Sequence, residues 1–207
     1  MPPPHVVLVS GFTAAGKTTH ARLLARRLGW SYLGMAEVRR AQLSGILPEK
    51  GEWSPEVDRL RNDHSALDLE ADQIMRDRIH RHTSPLVVDA WLQPWLCDVE
   101  DATRVWLNSD LPSRVAKAQV SLLRSGREPT HDVKMEVVEK DEFSLKVFRD
   151  LYSIDFGPDT DLFDLVVDNS GFIAEPSIQA SDRGIAGFEP VFHSAVMRLE
   201  KIRAHAS

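Results

Sequence analysis

The sequence predicts an α/β domain in three layers, a parallel sheet of about five strands with helices on both faces. Three observations carry this. Short apolar runs rich in β-branched residues recur along the chain, as in strands buried on both faces. Stretches with helical spacing separate them. The first strand also runs directly into a glycine-bounded turn and then a helix. A chain of 207 residues is long enough for one such domain with a sizeable core.

Val6 to Ser10 is the first strand, and Gly11 to Gly16 is the turn that follows it. From Lys17 a helical pattern places Leu24 and Leu28 on one face, with Gly29 as its stop. Ser31-Tyr32-Leu33 is a second short strand. Residues 34–84 are highly charged and mainly helical, with a loop carrying Pro48, Gly51 and Pro55 and helical spacing at Leu60, Leu67, Ile74 and Ile79. Leu86 to Asp89 is a buried strand ending on an acid. Arg104 to Leu107 is the fourth strand, followed by Asn108 and Ser109. A helix is expected from Ser113 to Ser125, stopped by Gly126, and a pair of helices from Val133 to Tyr152. Leu162 to Asp168 is the fifth strand, and a last helix is expected from Pro190 to Arg203. No repeat, low-complexity tract or linker divides the chain, so 1–207 is expected to be one domain.

Hydrophobic residues make up 43% and charged residues 27%, with a net charge of −6. That acidic balance argues against a nucleic-acid partner, which needs a basic footprint. It leaves room for a small anion in a local basic cleft. No run approaches the roughly 20 apolar residues of a membrane span. Met1-Pro2-Pro3-Pro4 has no export signal, and one cysteine allows no internal disulfide, so a cytoplasmic protein is expected. Cys97 is expected to be structural. The eight histidines are expected at the surface, with His80 and His82 off helical metal spacing.

Gly11-Phe12-Thr13-Ala14-Ala15-Gly16-Lys17-Thr18 matches G-x-x-x-x-G-K-[ST] in full, between a strand and a helix. In such a phosphate loop, or P-loop, the glycines adopt angles a Cβ would block, so that backbone N–H groups point at phosphate oxygens. The helix that follows adds its free N–H groups and positive dipole end. Lys17 then sits on the β- and γ-phosphates and Thr18 offers a hydroxyl to Mg²⁺. The expected nucleotide set is Gly11, Thr13, Ala14, Ala15, Gly16, Lys17, Thr18 and Thr19. Asp89 ends a buried strand where a metal-binding acid belongs; it is placed to hold Mg²⁺ through a water, or else serves as a helix cap or loop aspartate.

No N-K-x-D or D-x-x-G pattern supports a GTPase. The short chain and the cations after strand four point to a small kinase. Arg114, Lys117, Arg124 and Arg127 lie on or just after one helix, and Lys140, Lys146 and Arg149 on the next. Such cations can close over a transferring phosphoryl group and exclude water, or can simply line solvated helix faces. Arg114, Arg124 and Arg127 join Lys17 and Asp89 as the expected catalytic set.

The chain resembles the nucleoside monophosphate kinases, and among them the short cytidylate kinase-like group, over most of residues 5–172. Ala36-Glu37-Val38-Arg39-Arg40 is similar to that group's G-E-I-F-R. Val87 to Trp95 is similar to V-I-E-G-R-L-A-G-W, and Asp164 to Ser170 to D-L-V-I-D-T-S. Asp110 to Lys117 and Lys140 to Asp155 resemble the two lid helices. The resemblance implies a P-loop NTPase fold with a core of about 5–33, 85–112 and 160–207. It implies an acceptor-binding insert at about 34–84 and a lid at about 113–152. It also implies ATP and Mg²⁺, with Asn169 and Ser170 near the adenine and Arg40 on the acceptor phosphate. Glu37, Asp68 and Trp91 complete the expected acceptor side.

One departure bears on substrate. The group's E-G-R arginine is Trp91 here, and an indole cannot pair bidentately with a phosphate. Trp91 is either core or part of a remodelled acceptor pocket with Trp53 or Trp95. The expectation is a Mg·ATP-dependent kinase of a CMP- or dCMP-like monophosphate. The alternatives are the same chemistry on a non-standard metabolite or modified nucleotide, and a nucleotide-binding regulatory module without transferase activity. A monomer or homodimer is expected.

Overall fold

The computed structural model describes residues 5–42, 65–129 and 132–206. The loop expected at Pro48, Gly51 and Pro55, the helical position Leu60 and Trp53 lie outside them. Five strands form one parallel sheet: β1 (Val6–Ser10), β2 (Ser31–Gly34), β3 (Leu86–Asp89), β4 (Thr103–Asn108) and β5 (Leu165–Asp168), in the order β2-β3-β1-β4-β5. Val9 pairs with Asp89 and with Val105, so the ends of β1 and β3 and the middle of β4 come level beside the turn after β1. The sheet order reverses at β1, and that crevice is where open α/β sheets bind ligands.

The pleat sorts the core. Val7 and Val9 face α1 (Lys17–Leu28) and the long terminal helix, with Leu24, Phe188 and Phe192. Val6 and Leu8 face the other way, onto Ala71, Met75 and Ile79 of α3 (Ser65–His80) and Val38 of α2 (Met35–Gln42). Cys97 is buried in this second cluster, as expected. A third cluster is aromatic: Trp95, Trp106, Phe156 and Phe163 meet at ring separations of 5.1–6.4 Å. It lies between β4, the single helical turn α4 (Gln93–Leu96) and the segment that holds Phe156 and Phe163.

Gly29 ends α1 at φ 68°, as a helix stop should. The helix after β4 is α5 (Leu111–Arg124), whose cap is Asp110, accepting the Ser113 N–H at 2.9 Å. Three expectations shift. Residues 133–152 form one helix, α6 (Val133–Tyr152), not a pair, because Val133, Val137, Ser144 and Phe148 keep one inner face without a Gly or Pro break. β5 begins at Leu165, since Phe163 turns into the aromatic cluster. The last helix, α7 (Ile178–Ala206), starts twelve residues before Pro190, which sits inside it. Gly184 lets α7 approach the turn after β5, because a Cβ there would lie 2.4 Å from the Phe172 carbonyl. No helix among the described residues is long and apolar enough to cross a membrane.

Candidate active site

The turn from Gly11 to Gly16 wraps at the carboxyl end of the sheet. Gly11 has φ 151°, and a Cβ on it would lie 2.5 Å from the Leu107 carbonyl, so only glycine lets the loop lie this close to β4. Gly16 caps α1 at φ 94° without a side-chain bond, and no acid lies in the first turn. The helix N–H groups and positive dipole end therefore have no anionic side chain of their own.

Lys17 folds back over the loop and donates to the Gly11 and Phe12 carbonyls at 2.8 and 2.9 Å. Burial lowers its pKa to about 8, against the opposing pull of Asp89 and Asp141. Thr18 donates its hydroxyl to Asp89 Oδ2 at 2.5 Å, and Tyr32 donates to the same oxygen at 3.2 Å. Asp89 is 5% exposed, and burial raises its pKa, offset mainly by Lys17. A hydroxyl and a carboxylate in contact beside an ammonium suit a Mg²⁺–phosphate pair: the hydroxyl can ligate, the acid can hold a ligand water, and the ammonium can neutralise phosphate oxygens. Among the described residues no group of three His, Cys, Asp or Glu side chains gathers as a metal site. An ion here would take its other ligands from phosphate and water. Thr19 faces solvent, and the Thr13 hydroxyl oxygen is buried with no hydrogen-bond partner among the described residues.

Of the expected lid cations, Arg114 reaches the loop. It is 9% exposed, donates to the Thr13 carbonyl at 3.2 Å, pairs with Asp141 of α6 and lies over the Phe12 ring. Asp141 in turn accepts the Thr13 N–H at 3.1 Å. Lys117 lies beneath the loop, bonded to Ser109 and Asn169. Arg124 points away, to Asp182 of α7 at 2.5 Å, and Arg127 bonds Ser125 at 3.2 Å; both are exposed. Lys146 and Arg149 pair with Asp150 and Asp155 on the surface. Lys140 stays near enough to Lys17 to help lower its pKa.

Asn169 donates to the Ala15 carbonyl at 2.7 Å, so its side-chain amide faces the phosphate loop. Ser170 accepts the Asp110 N–H at 2.8 Å and bonds Asp168 through its own N–H, which places it in the turn after β5. One expectation about histidine is corrected: His20 is 4% exposed, packed 4.7 Å from the Phe188 ring, and burial lowers its pKa to about 4. Its position on the inner face of α1, one turn before Leu24, is what buries it.

On the acceptor side Glu37 pairs with Arg22 at 3.2 Å and Arg40 stands exposed on α2. Its neighbour Arg39 turns inward to Asp68 at 2.6 Å, and Asp68 is 2% exposed. Asp72, one turn on, accepts from Tyr152 at 2.6 Å and from Gln93 at 3.4 Å, and burial raises its pKa. Trp91 is partly buried, edge-on to Phe148, with Lys17 over its ring. Trp91 and Trp95 both pack against the aromatic cluster, Trp95 in ring contact with Trp106, Phe156 and Phe163. Arg39, Asp72, Tyr152, Asp141 and Tyr32 are absent from the expected site. A signal existed for Asp72: with Asp68, which was expected, it continues the inward stripe of Met75 and Ile79 at steps of four, three and four, where apolar residues belong.

The chain matches the model of the cytidylate kinase-like family over residues 6–171. A cytidylate kinase of Aeropyrum pernix is 30% identical over 168 residues, covering 81% of this chain and 91% of that protein. A cytidylate kinase of Haloarcula marismortui is 22% identical over 198 residues, 96% of this chain and 98% of that one. Among solved structures, a shikimate kinase from Bacteroides thetaiotaomicron aligns at TM-score 0.51 with 12% identity, over 90% of this chain and 97% of that one. That likeness speaks for the α/β P-loop kinase fold alone.

Proposed function

The chain belongs to the cytidylate kinase-like family, a group of P-loop phosphotransferases, and from that premise we propose that it transfers the γ-phosphoryl group of Mg·ATP to a nucleoside monophosphate of the CMP or dCMP kind. The observation that carries this is the contact of Thr18 with Asp89 beside Lys17, at the uncapped N-terminus of α1. The loop N–H groups and α1 bind and orient the phosphate chain. Lys17 leaves its two carbonyls to meet the β- and γ-oxygens, and Arg114 stands at the loop's rim where charge develops as the bridging P–O bond breaks. Mg²⁺, when bound, neutralises the phosphate oxygens, with Thr18 and Asp89 holding it. The acceptor oxygen forms the new P–O bond and ADP leaves.

A second reading has its own observation. Trp91 puts an indole face, not a guanidinium, beside Lys17, which favours an acceptor other than CMP on the same machinery. A coupled ADP-release assay decides. It compares CMP, dCMP, UMP, other monophosphates, nucleosides and hydroxylated metabolites. Acceptor-dependent ADP release that disappears in Lys17→Ala, at an unchanged thermal melt, supports a kinase. No acceptor-dependent release across the panel would leave a nucleotide-binding module.

A further inference from the structure

One residue of the phosphate loop is held in a conformation that its side chain disfavours. Ala14 has φ 59°, in the left-handed region, without being glycine. The carbonyl of the next residue, Ala15, is where the loop is tied down. Asn169 donates its side-chain N–H to that oxygen at 2.7 Å, and a Cβ on Gly16 would lie 3.5 Å from the same nitrogen, so the amide packs against the loop's second glycine. Asn169 is 1% exposed, and its backbone N–H bonds the Asn108 carbonyl at 3.0 Å, which fixes its position at the ends of β4 and β5.

Lys117 completes the arrangement from α5. Its ammonium donates to the Asn169 side-chain oxygen, to Ser109 Oγ at 2.8 Å, and reaches the Ala15 carbonyl at 3.5 Å. Three N–H donors meet three oxygens. Burial lowers the pKa of this lysine to about 8, with Asp110 and Asp168 opposing, so the chain keeps a cation where desolvation disfavours one. Arg114 lies near enough to Lys17 to help lower its pKa, whereas Lys117 ends on Ser109, Asn169 and the Ala15 carbonyl.

We propose that Lys117 and Asn169 are positioning residues for phosphoryl transfer, a brace that holds the Ala15–Gly16 peptide in the turn that aims the loop's N–H groups inward. The proposal rests on the reading of this loop as the ATP site. Without the brace, the Ala15–Gly16 peptide is free to swing. The Ala15 N–H bond to the Phe12 carbonyl at 3.2 Å is left to oppose relaxation of the strained turn at Ala14, and nucleotide binding must restore the turn. The expected signature is therefore a loss of affinity with little loss of turnover.

The test uses the full chain with calorimetric titration of Mg·ATP, steady-state kinetics, and amide hydrogen exchange of the nucleotide-free protein. Lys117→Met is expected to weaken Mg·ATP about tenfold, the equivalent of one or two lost buried hydrogen bonds. KM should rise by the same factor, with kcat within about twofold, and exchange should quicken at residues 14–16 but not in the core strands. Ala14→Gly, which removes the Cβ that disfavours the turn, should recover at least about threefold of the lost affinity when added to Lys117→Met. Unchanged affinity and loop exchange in Lys117→Met overturns the brace. So does a fall in kcat at unchanged affinity, which would make Lys117 a direct phosphate contact. A lower melt with uniformly faster exchange and no recovery by Ala14→Gly overturns it as well. If the wild-type chain binds no ATP, the donor assignment fails separately, while loop exchange in the nucleotide-free variants still decides the brace.

Discussion

The Lys17 ammonium lies 5.5 Å from the centroid of the Trp91 ring. The ring is held there by its edge-on contact with Phe148, and the Trp91 carbonyl is held by the Ser10 hydroxyl at 2.6 Å. A cation over an indole face is favourable, and more so away from water. Lys17 thus rests between loop carbonyls, an aromatic face and the Asp89 carboxylate, in a site dry enough to bring its pKa to about 8.

That pKa sets opposite signs for activity and stability. Above about pH 8 free Lys17 loses its charge, so kcat/KM should fall, tending to tenfold per pH unit. Stability should move the other way. Between about 8 and the unfolded value near 10.5, the folded state has released protons from Lys17 and Lys117 that the unfolded chain still binds. By linkage, stability rises with pH in that window. Tyr32 and Tyr152, both raised by burial, reverse the trend above about pH 10, where the unfolded tyrosines ionise first. Activity and chemical denaturation measured from pH 7 to 10 check this, and a kcat/KM that stays flat to pH 10 would contradict it.

Asp89→Asn separates metal binding from nucleotide binding. Asparagine can still accept from Thr18 and Tyr32, so the fold should hold, but a neutral amide holds a metal-bound water less well. The Mg²⁺ concentration for half-maximal rate should rise about tenfold or more, with metal-free ATP binding much less affected. Asp89 also raises the pKa of Lys17, so the alkaline fall in kcat/KM should start at lower pH in the variant. An unaltered Mg²⁺ dependence would reduce Asp89 to a local hydrogen-bond acceptor.

Asp141 places a carboxylate on the N–H of Thr13, a loop amide, and pairs with Arg114. A phosphate chain arriving at the loop meets that negative charge. Asp141→Asn keeps one hydrogen-bond acceptor and removes the charge, so Mg·ATP should bind about three- to tenfold more tightly. The thermal melt should fall, because the pair with Arg114 is largely buried. Titration calorimetry and a melting curve test both; weaker ATP binding would show instead that Asp141 holds Arg114 where nucleotide needs it.

The fold was legible because its signals are local. The run Val6–Ser10, the loop glycines and the stop at Gly29 each follow from backbone geometry at a few residues. The phosphate loop and Asp89 were legible for the same reason. What could not be read is which side chains the tertiary structure turns inward. Arg39 and Arg40 are adjacent, and helix rotation alone decides that Arg39 meets Asp68 while Arg40 stays exposed. Arg124 belongs to the same basic helix as Arg114, but ten residues of α5 carry it to Asp182 on α7. Asp141 is 128 residues from Thr13, and nothing in the spacing of either announces the contact.

Trp91 gives the prediction that bears on the acceptor. The similarity to V-I-E-G-R sets an arginine at this position, and Arg40, the other expected phosphate contact, is exposed on α2. A single arginine contact is worth about 1.5–3 kcal/mol, so a monophosphate acceptor lacking it should be weakened roughly 10- to 100-fold. If Trp91 remodels the acceptor pocket, as the second reading holds, CMP is expected to be a poor substrate next to the true acceptor. Trp91→Arg should improve kcat/KM for CMP, at a lower melting temperature because the ring contact with Phe148 is lost. The new cation would stand beside Lys17 and lower its pKa further, moving the alkaline limb of kcat/KM down in pH until phosphate sits between the two. The measurement is kcat/KM for CMP, dCMP and UMP across pH for both proteins. Efficient CMP turnover by the unmodified chain, near 10⁵ M⁻¹s⁻¹ or above on the usual enzyme scale, would make Trp91 a packing residue and return the acceptor to CMP.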